Sequence, residues 1–174
     1  MKSKRLWAVL AAVAVAAAGA GASTVLATPQ AGLTTTTVAT ASVPPLQIRS
    51  DYRPQPQTWP PSFWSAMLRT HGITDLYVVD NVITAGGTTG WHTHSGPSLI
   101  IVKSGTVTNY RAETRGCAGV NYPAGTAFVD AGGNDIHELK NNTDEPVETV
   151  AVQLIPHGQP RKTDLPAVPR GCQP

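Results

Sequence analysis

Hydrophobic and polar residues alternate along most of the chain after residue 73, which is the pattern of half-buried β-strands. Glycine-containing turns separate the alternating stretches, which recur about every ten residues without an intervening helical pattern. The predicted strands cover residues 74–84, 98–103, 106–110, 120–122, 127–130, 136–140 and 147–155. Ser104 and Gly105 lie between the second and third strands and predict a tight hairpin turn. The pattern predicts an all-β domain, either a sandwich or a small barrel.

The segment before residue 73 has a different pattern. In residues 61–71, Phe63, Trp64, Met67 and Leu68 form an apolar stripe at helical spacing, preceded by two prolines and followed by Gly72. This stripe predicts one short N-terminal helix that packs on the β-domain. Residues 23–60 are rich in Thr, Ala and Pro and predict a flexible leader, from which residues 46–48 could add a short edge strand.

The first 22 residues have the composition of an export signal, because Lys2, Lys4 and Arg5 precede an Ala/Val/Leu run and then small residues. Cleavage could follow Ala22 or, alternatively, Ala27. An uncleaved anchor is the alternative, although the run is short and alanine-rich for a membrane span. Cleavage would remove three of the 13 basic residues and none of the 11 acidic ones, so the net charge would change from +2 to −1. No basic run remains, which argues against nucleic acid or a membrane surface as partner.

Cys117 and Cys172 are the two cysteines of the chain. An even number of cysteines in an exported protein favours a disulfide, which would tie residues 159–174 to the β-domain. A thiolate that acts as a ligand or nucleophile is the alternative. The expected location is secreted or extracytoplasmic, with cell-wall association left open.

His92 and His94 are one residue apart in a Gly/Thr-rich run between two β-type segments. In an extended chain, residues i and i+2 point to the same face about 6.6–7 Å apart, so both imidazoles can face one metal ion. His137 follows 43 residues after His94, again behind a glycine turn and at the start of a strand-like segment. These three histidines are the candidate metal ligands. The alternative is that they only form hydrogen bonds in a polar pocket.

The histidine segments resemble the two motifs of the cupin superfamily. The first motif is G-x5-H-x-H-x3-4-E-x6-G. The segment from Gly86 to Gly105 is similar to it, with His92 and His94 at the two histidine positions and Ser98 at the glutamate position. The second motif is P-x-G-x2-H-x3-N. The segment from Asp130 to Asn141 matches it more loosely, because Asp130 stands in place of the proline and two extra residues lie between Gly132 and His137. Small exported actinobacterial cupin-domain proteins look similar. The resemblance implies a single-domain, cupin type-2-like double-stranded β-helix (a jelly-roll barrel) over residues 61–158, including the short helix.

The resemblance also implies a metal site. This chain departs from the family's ligand set, because Ser98 stands where the family has a glutamate ligand. Two interpretations follow: a three-histidine site that binds water, or a site in which Asp135 replaces the carboxylate. For Asp135, stabilisation of a turn is the alternative, and Ser98 could hydrogen-bond a metal-bound water. Zn, Fe, Cu or Ni fits such a site better than Mn.

The resulting functional hypothesis is an exported cupin that binds one divalent metal ion through His92, His94 and His137. It would be either a metal-dependent enzyme acting on a small molecule (an oxygenase, or an isomerase or lyase) or a non-catalytic binder of a sugar or small acid. A surface-anchored structural domain, suggested by the Thr/Pro-rich leader, is a third alternative. Whether the protein is an enzyme stays open. The expected partner is a small-molecule ligand or substrate, and a homodimer is an additional expectation by analogy of fold.

Overall fold

A computed structural model describes residues 28–53 and 63–172 of the chain, and the predicted export signal lies outside these residues. The twelve strands are β1 (Ala31–Val43), β2 (Gln47–Tyr52), β3 (Trp64–Arg69), β4 (Thr74–Thr88), β5 (His92–Thr93), β6 (Ser98–Ser104), β7 (Thr106–Arg111), β8 (Val120–Pro123), β9 (Ala127–Asp130), β10 (His137–Lys140), β11 (Val147–Pro156) and β12 (Thr163–Asp164). A single 3-10 turn, Arg115–Cys117, is the helical element of the described part. That part contains no helix of a length and hydrophobicity suited to crossing a membrane.

Ten of the strands form two opposed faces of a nearly closed barrel. One face has the order β1-β4-β11-β6-β9 and the other has the order β12-β5-β10-β7-β8, with every pair antiparallel. A residue pair between Lys140 of β10 and Thr88 of β4 joins the faces along one side. This architecture is the double-stranded β-helix, so the predicted all-β fold class is confirmed. The seven strands predicted after residue 73 all form.

The hydrophobic core lies between the two faces and follows from the alternation in the sequence. In β11, buried residues alternate with more exposed ones along the whole strand, because successive side chains point to opposite sides of a sheet. The buried apolar residues are Val79, Ile83, Ile100, Val102, Val107, Phe128, Leu139, Val147 and Ala151. Their side chains fill one part of the barrel and leave the other part for polar residues.

The expected flexible leader contains ordered structure. Residues 31–43 form β1, which pairs with β4 from Ala31 opposite Thr88 to Val43 opposite Thr74. Most of β1 is exposed, and Leu33 packs against the core. β1 needs few large apolar residues, since the backbone ladder with a long neighbour and the strand preference of Thr and Val stabilise it.

The predicted helix at 61–71 is wrong for the residues that the structure describes. Trp64–Arg69 form β3, which pairs with β2 as a separate two-stranded sheet. Trp64 lies opposite Tyr52 and Leu68 lies opposite Ile48, so the apolar residues also satisfy the alternation of a strand. A short apolar stripe fits both periods, and here cross-strand pairing decides between them. The edge strand expected at 46–48 belongs to this sheet instead of the barrel.

The predicted hairpin at Ser104 and Gly105 is also wrong. β6 pairs with β11 and β9, whereas β7 pairs with β10 and β8, so the chain crosses from one face to the other at this turn. Gly105 has a φ of +73°, and a Cβ atom there would lie 2.8 Å from the Pro146 carbonyl oxygen. The crossing requires glycine for this reason.

The segment after β11 is attached to the barrel in two ways. β12 pairs with β5, and the expected disulfide joins Cys117 to Cys172. Both cysteines are buried in a small cluster with Trp91, outside the barrel interior. The tail is therefore held to the rest of the structure at two points.

Candidate metal centre

Two strands of the same face bring the three candidate histidines together. His92 begins β5, His94 follows directly after it, and His137 begins β10. His92 and His137 are direct partners across the antiparallel pair. Gly90 has a φ of +66°, and a Cβ atom there would lie 2.2 Å from the carbonyl oxygen of Thr28. Glycine is needed at this turn, which directs the following residues into β5.

The imidazole rings of these histidines form a compact group. The ring centroids are 4.9 Å apart for His92 and His94, 4.4 Å for His92 and His137, and 5.4 Å for His94 and His137. One ring nitrogen from each residue lies within 4.8 Å of those of the other two. The group therefore could hold a metal ion, as three ligands of one divalent cation require.

Each ring is oriented by a backbone carbonyl. Nδ1 of His92 lies 2.7 Å from the Gly90 oxygen, and Nδ1 of His137 lies 3.2 Å from the Asp135 oxygen. Nδ1 of His94 forms a short contact with the Arg161 oxygen. Because a carbonyl oxygen can only accept a hydrogen bond, each Nδ1 carries the proton and each Nε2 keeps its lone pair. This arrangement is common among metal-binding histidines.

The electrostatics of the site keep the histidines neutral. Burial lowers the pKa of His92 well below its usual value of 6.5, and the neighbouring His137 and His94 lower it further. Burial also lowers the pKa of His94 and of His137. Neutral imidazole is the form that binds a metal ion, so the site is ready for a ligand role near pH 7.

A cavity of about 320 Å³ lies between the two faces and is lined by all three histidines. Apolar residues such as Val79 and Leu139 form part of its wall. Arg161 and Lys162, from the segment between β11 and β12, also line it. Its volume is at the lower end of the range for small-molecule sites.

Ser98 lies in this cavity with its side chain inward, as its register predicted. The residue is 1% exposed, and its hydroxyl accepts a hydrogen bond from Nε2 of Gln153 at 3.0 Å. Gln153 is the cross-strand partner of Ser98 and accepts a hydrogen bond from Arg161 at 2.7 Å. Ser98 stands at the glutamate position of the motif that the sequence resembles, and it is part of a polar network on the cavity wall.

Asp135 lies in the loop before β10 and its carboxylate is engaged locally. Oδ2 accepts the backbone N–H of Ala131 at 3.0 Å and pairs with Arg111 at 3.3 Å. These contacts favour the turn-stabilising interpretation. Oδ1 is buried without a hydrogen-bond partner among the described residues, and Asp135 lies within ligand distance of Asp130 and His137.

Asp130 is a site residue that the sequence analysis noted only as a departure from a motif. It ends β9, is 1% exposed, and places Oδ2 3.5 Å from Nε2 of His94. Burial raises the pKa of its carboxyl to about 6, although the backbone N–H of Gly132 opposes this effect. The alternation of Phe128 and Asp130 in a short strand was the available signal, since it places both side chains on the inner face.

The comparisons with known proteins concern architecture. No protein-family model matches the sequence, and no curated protein matches it significantly. A solved double-stranded β-helix protein from Klebsiella pneumoniae matches with a TM-score of 0.43 and 20% identity, covering 51% of this chain and 73% of its own. The polyketide cyclase RemF from Streptomyces resistomycificus gives 0.44 and 16%, covering 52% and 61%. A cupin superfamily protein from Desulfitobacterium hafniense gives 0.39 and 8%, covering 62% and 78%.

Proposed function

We propose that this protein is an exported, single-domain cupin that binds one divalent metal ion and a small acidic molecule in the barrel cavity. The observation that carries the proposal is the orientation of three buried, neutral imidazoles. Each donates through Nδ1 to a backbone carbonyl, which leaves three Nε2 lone pairs for one ion. A hydrogen-bonded polar pocket without metal would not require all three donors to be directed away from the centre.

The three histidines would suit a metal ion that prefers imidazole ligands. Zn, Fe, Cu and Ni accept neutral imidazole readily, whereas Mn is favoured by carboxylates. When bound, such an ion polarises a carbonyl oxygen or lowers the pKa of a water molecule. The chain itself would supply the orientation of the ligands and the cavity in which the ion would lie.

The cations at the cavity favour an acidic small molecule over a sugar. Arg161 takes part in none of the ion pairs in the part of the chain that the structure describes. Its guanidinium lies 5.4 Å from the centre of the Tyr77 ring. Lys162 differs, because its ammonium pairs with Asp164. A guanidinium with free donors binds a carboxylate through two parallel hydrogen bonds. We therefore assign Arg161 as the anion-binding residue of the cavity.

A non-catalytic binding protein is the second candidate, and Ser98 is the observation that favours it. Its hydroxyl is a weaker base than the carboxylate that the family motif has at this position. An enzyme would convert a small acid in the presence of the loaded metal, whereas a binder would release it unchanged. Oxygen uptake and product analysis with the iron-loaded protein and a panel of small acids distinguish the two.

Metal analysis of the secreted protein tests the proposal. We expect close to one divalent ion per chain in wild type and none in the double variant His92→Ala/His137→Ala. His71→Ala is the matched control, because His71 is exposed and lies outside the cavity. A wild-type protein that retains no ion, and binds none of Zn²⁺, Co²⁺ or Ni²⁺ on titration, would overturn the proposal.

The location and the organisation of the chain are part of the same proposal. A disulfide such as Cys117–Cys172 persists in oxidising compartments, which supports export, and the proposed cleavage after about residue 22 rests on the sequence pattern alone. Residues 61–158 would be the cupin domain, in which β3 pairs with β2 in the separate sheet and β4–β11 form the barrel. Residues 159–174 would be its tied tail, and β1 and β12 add to the barrel from the two flanking segments. A homodimer stays a prediction.

A further inference from the structure

Asp130 lies directly opposite the position where the cupin motif has its glutamate. β6 and β9 are antiparallel neighbours, and Ser98 is the register partner of Asp130. Side chains of such a pair point to the same side of the sheet with their Cβ atoms about 4.5–5.5 Å apart. Both residues are 1% exposed and both point inward. The carboxylate absent from Ser98 is therefore present one strand away.

The Asp130 carboxylate is incompletely satisfied by the protein. Oδ1 accepts the backbone N–H of Gly132 at 2.8 Å, whereas Oδ2 is buried and has no hydrogen-bond partner among the described residues. No lysine or arginine of that part of the chain forms an ion pair with it. A buried carboxylate oxygen without a donor or cation is strongly unfavourable, so a further partner is expected.

The neighbouring ring nitrogen of His94 does not supply that partner. Nε2 of His94 lies 3.5 Å from Oδ2, and it carries a lone pair because Nδ1 of the same ring donates to the Arg161 carbonyl. Two electron-rich atoms thus face each other in a buried setting. A cation between them, either a proton or a metal ion, removes this conflict.

The separation of these atoms fits a shared metal ion. Two ligands of a tetrahedral ion, each bonded at about 2.0–2.1 Å, are about 3.4 Å apart. The distance of 3.5 Å between Oδ2 and Nε2 is close to this value. The carboxylate also lies near the His137 ring, but on the side of its proton-bearing Nδ1, which is 3.9 Å from Oδ1. The contact that carries the ligand geometry is therefore the one with Nε2 of His94.

We propose that Asp130 is the fourth protein ligand of the metal, a carboxylate moved from β6 to the adjacent strand β9. This inference rests on the proposed metal function. It assigns a three-histidine, one-carboxylate site to a chain that lacks the glutamate of the motif. Asp135 is left out of the assigned ligand set, because Arg111 and the backbone N–H of Ala131 hold its Oδ2 and only Oδ1 is without a hydrogen-bond partner among the described residues.

The test is a titration of the full-length, disulfide-bonded protein with Co²⁺ and Zn²⁺. Asp130→Asn keeps the shape of the side chain and removes the charge, and Asp135→Asn is the matched control from the same loop region. Visible spectra of bound Co²⁺ report the coordination sphere, and competition with a chromophoric chelator gives the affinity. Thermal unfolding of each metal-free variant shows whether it folds, and Asp130→Ser serves if the asparagine variant does not.

Loss of a residue that only orients a ligand lowers metal affinity about 10–100-fold. We expect Asp130→Asn to exceed this range and to change the Co²⁺ spectrum, with Asp135→Asn retaining the wild-type spectrum. An Asp130→Asn protein with an unchanged spectrum and a loss within that range would overturn the ligand role while leaving the three-histidine site intact. A wild-type protein without any Co²⁺ binding would overturn both proposals.

Discussion

His92 and His137 face each other as direct partners across β5 and β10, although 44 intervening residues separate them in the sequence. Their ring centroids are 4.4 Å apart. The distance between the His92 and His137 side chains is thus set by the pairing of two strands and not by a flexible loop. Candidate ligands on paired strands are held in place before any ion binds, which would reduce the ordering cost of the proposed metal binding.

The metal-free protein should lose stability as the pH falls below about 7. Burial lowers the pKa values of His92, His94 and His137 in the folded state, so below about pH 6.5 the unfolded chain binds more protons than the folded one. Each histidine then lowers the free energy of unfolding by up to about 1.4 kcal/mol per pH unit. Asp130 acts in the opposite direction between about pH 6 and 3.8, because its folded-state pKa is raised to about 6.

Urea unfolding of chelator-treated protein at pH 7.5, 6.5 and 5.5 measures this effect. The variant His92→Gln should give a shallower dependence than wild type. His71→Gln, on an exposed segment, should follow the wild-type curve. Equal stability of wild type at all three pH values would contradict the burial of neutral imidazoles.

Much of the barrel and the three histidines could be predicted because the information is local. The strands from Thr74 onward alternate with a period of two, and His92 and His94 share a face for the same reason. β3 could not be predicted, since its apolar residues fit a helical period as well as a strand, and only the partner strand β2 decides.

Asp130 shows the limit of motif reading in the site itself. Asp130 stands at the proline position of the second motif, where no metal ligand is expected. The first motif has its glutamate ligand at the position of Ser98, so the motifs alone indicate a missing carboxylate and not a replacement for it. The relation between these two residues exists only in the pairing of β6 with β9. Register between distant strands depends on packing of the whole barrel, which local patterns do not specify.

Arg161→Gln should weaken the binding of small carboxylic acids to the metal-loaded protein. A hydrogen bond to a charged group contributes about 1.5–3 kcal/mol, which corresponds to a loss of about 10–100-fold in affinity. The variant should keep its metal, because His94 contacts the backbone oxygen of Arg161 and not its side chain. Calorimetric titration with formate, glycolate and malonate measures the change.

Lys162→Gln is the control for this prediction, since the Lys162 ammonium is already paired with Asp164. Its effect on acid affinity should be smaller than that of Arg161→Gln. Glycerol provides a neutral probe, whose binding should not respond to either substitution. Equal affinity of wild type and Arg161→Gln for every acid tested would refute the anion-binding role.

The disulfide should contribute substantially to stability. Cys117 and Cys172 are 55 residues apart in sequence, and closing a loop of this length stabilises the folded state by about 4 kcal/mol on the chain-entropy model. The double variant Cys117→Ser/Cys172→Ser should therefore unfold at lower denaturant concentration with metal bound or absent. Acid affinity should fall as well, because the bond fixes the tail that carries Arg161. A denaturation midpoint within error of wild type would rule out this contribution.

Moving the carboxylate back across the strand pair provides the most specific check of the Asp130 assignment. In the double variant Ser98→Glu/Asp130→Ser, the acidic side chain returns to the motif position while the pair keeps one hydroxyl and one carboxylate. Because Ser98 and Asp130 are register partners with inward side chains, the new glutamate should reach the same ion. We expect the double variant to bind Zn²⁺ more tightly than Asp130→Ser alone by at least about 10-fold, which corresponds to about 1.4 kcal/mol. Chelator competition measures the three proteins side by side, with Ser98→Glu alone as control for overpacking. If the double variant binds no better than Asp130→Ser, the two positions do not serve one site.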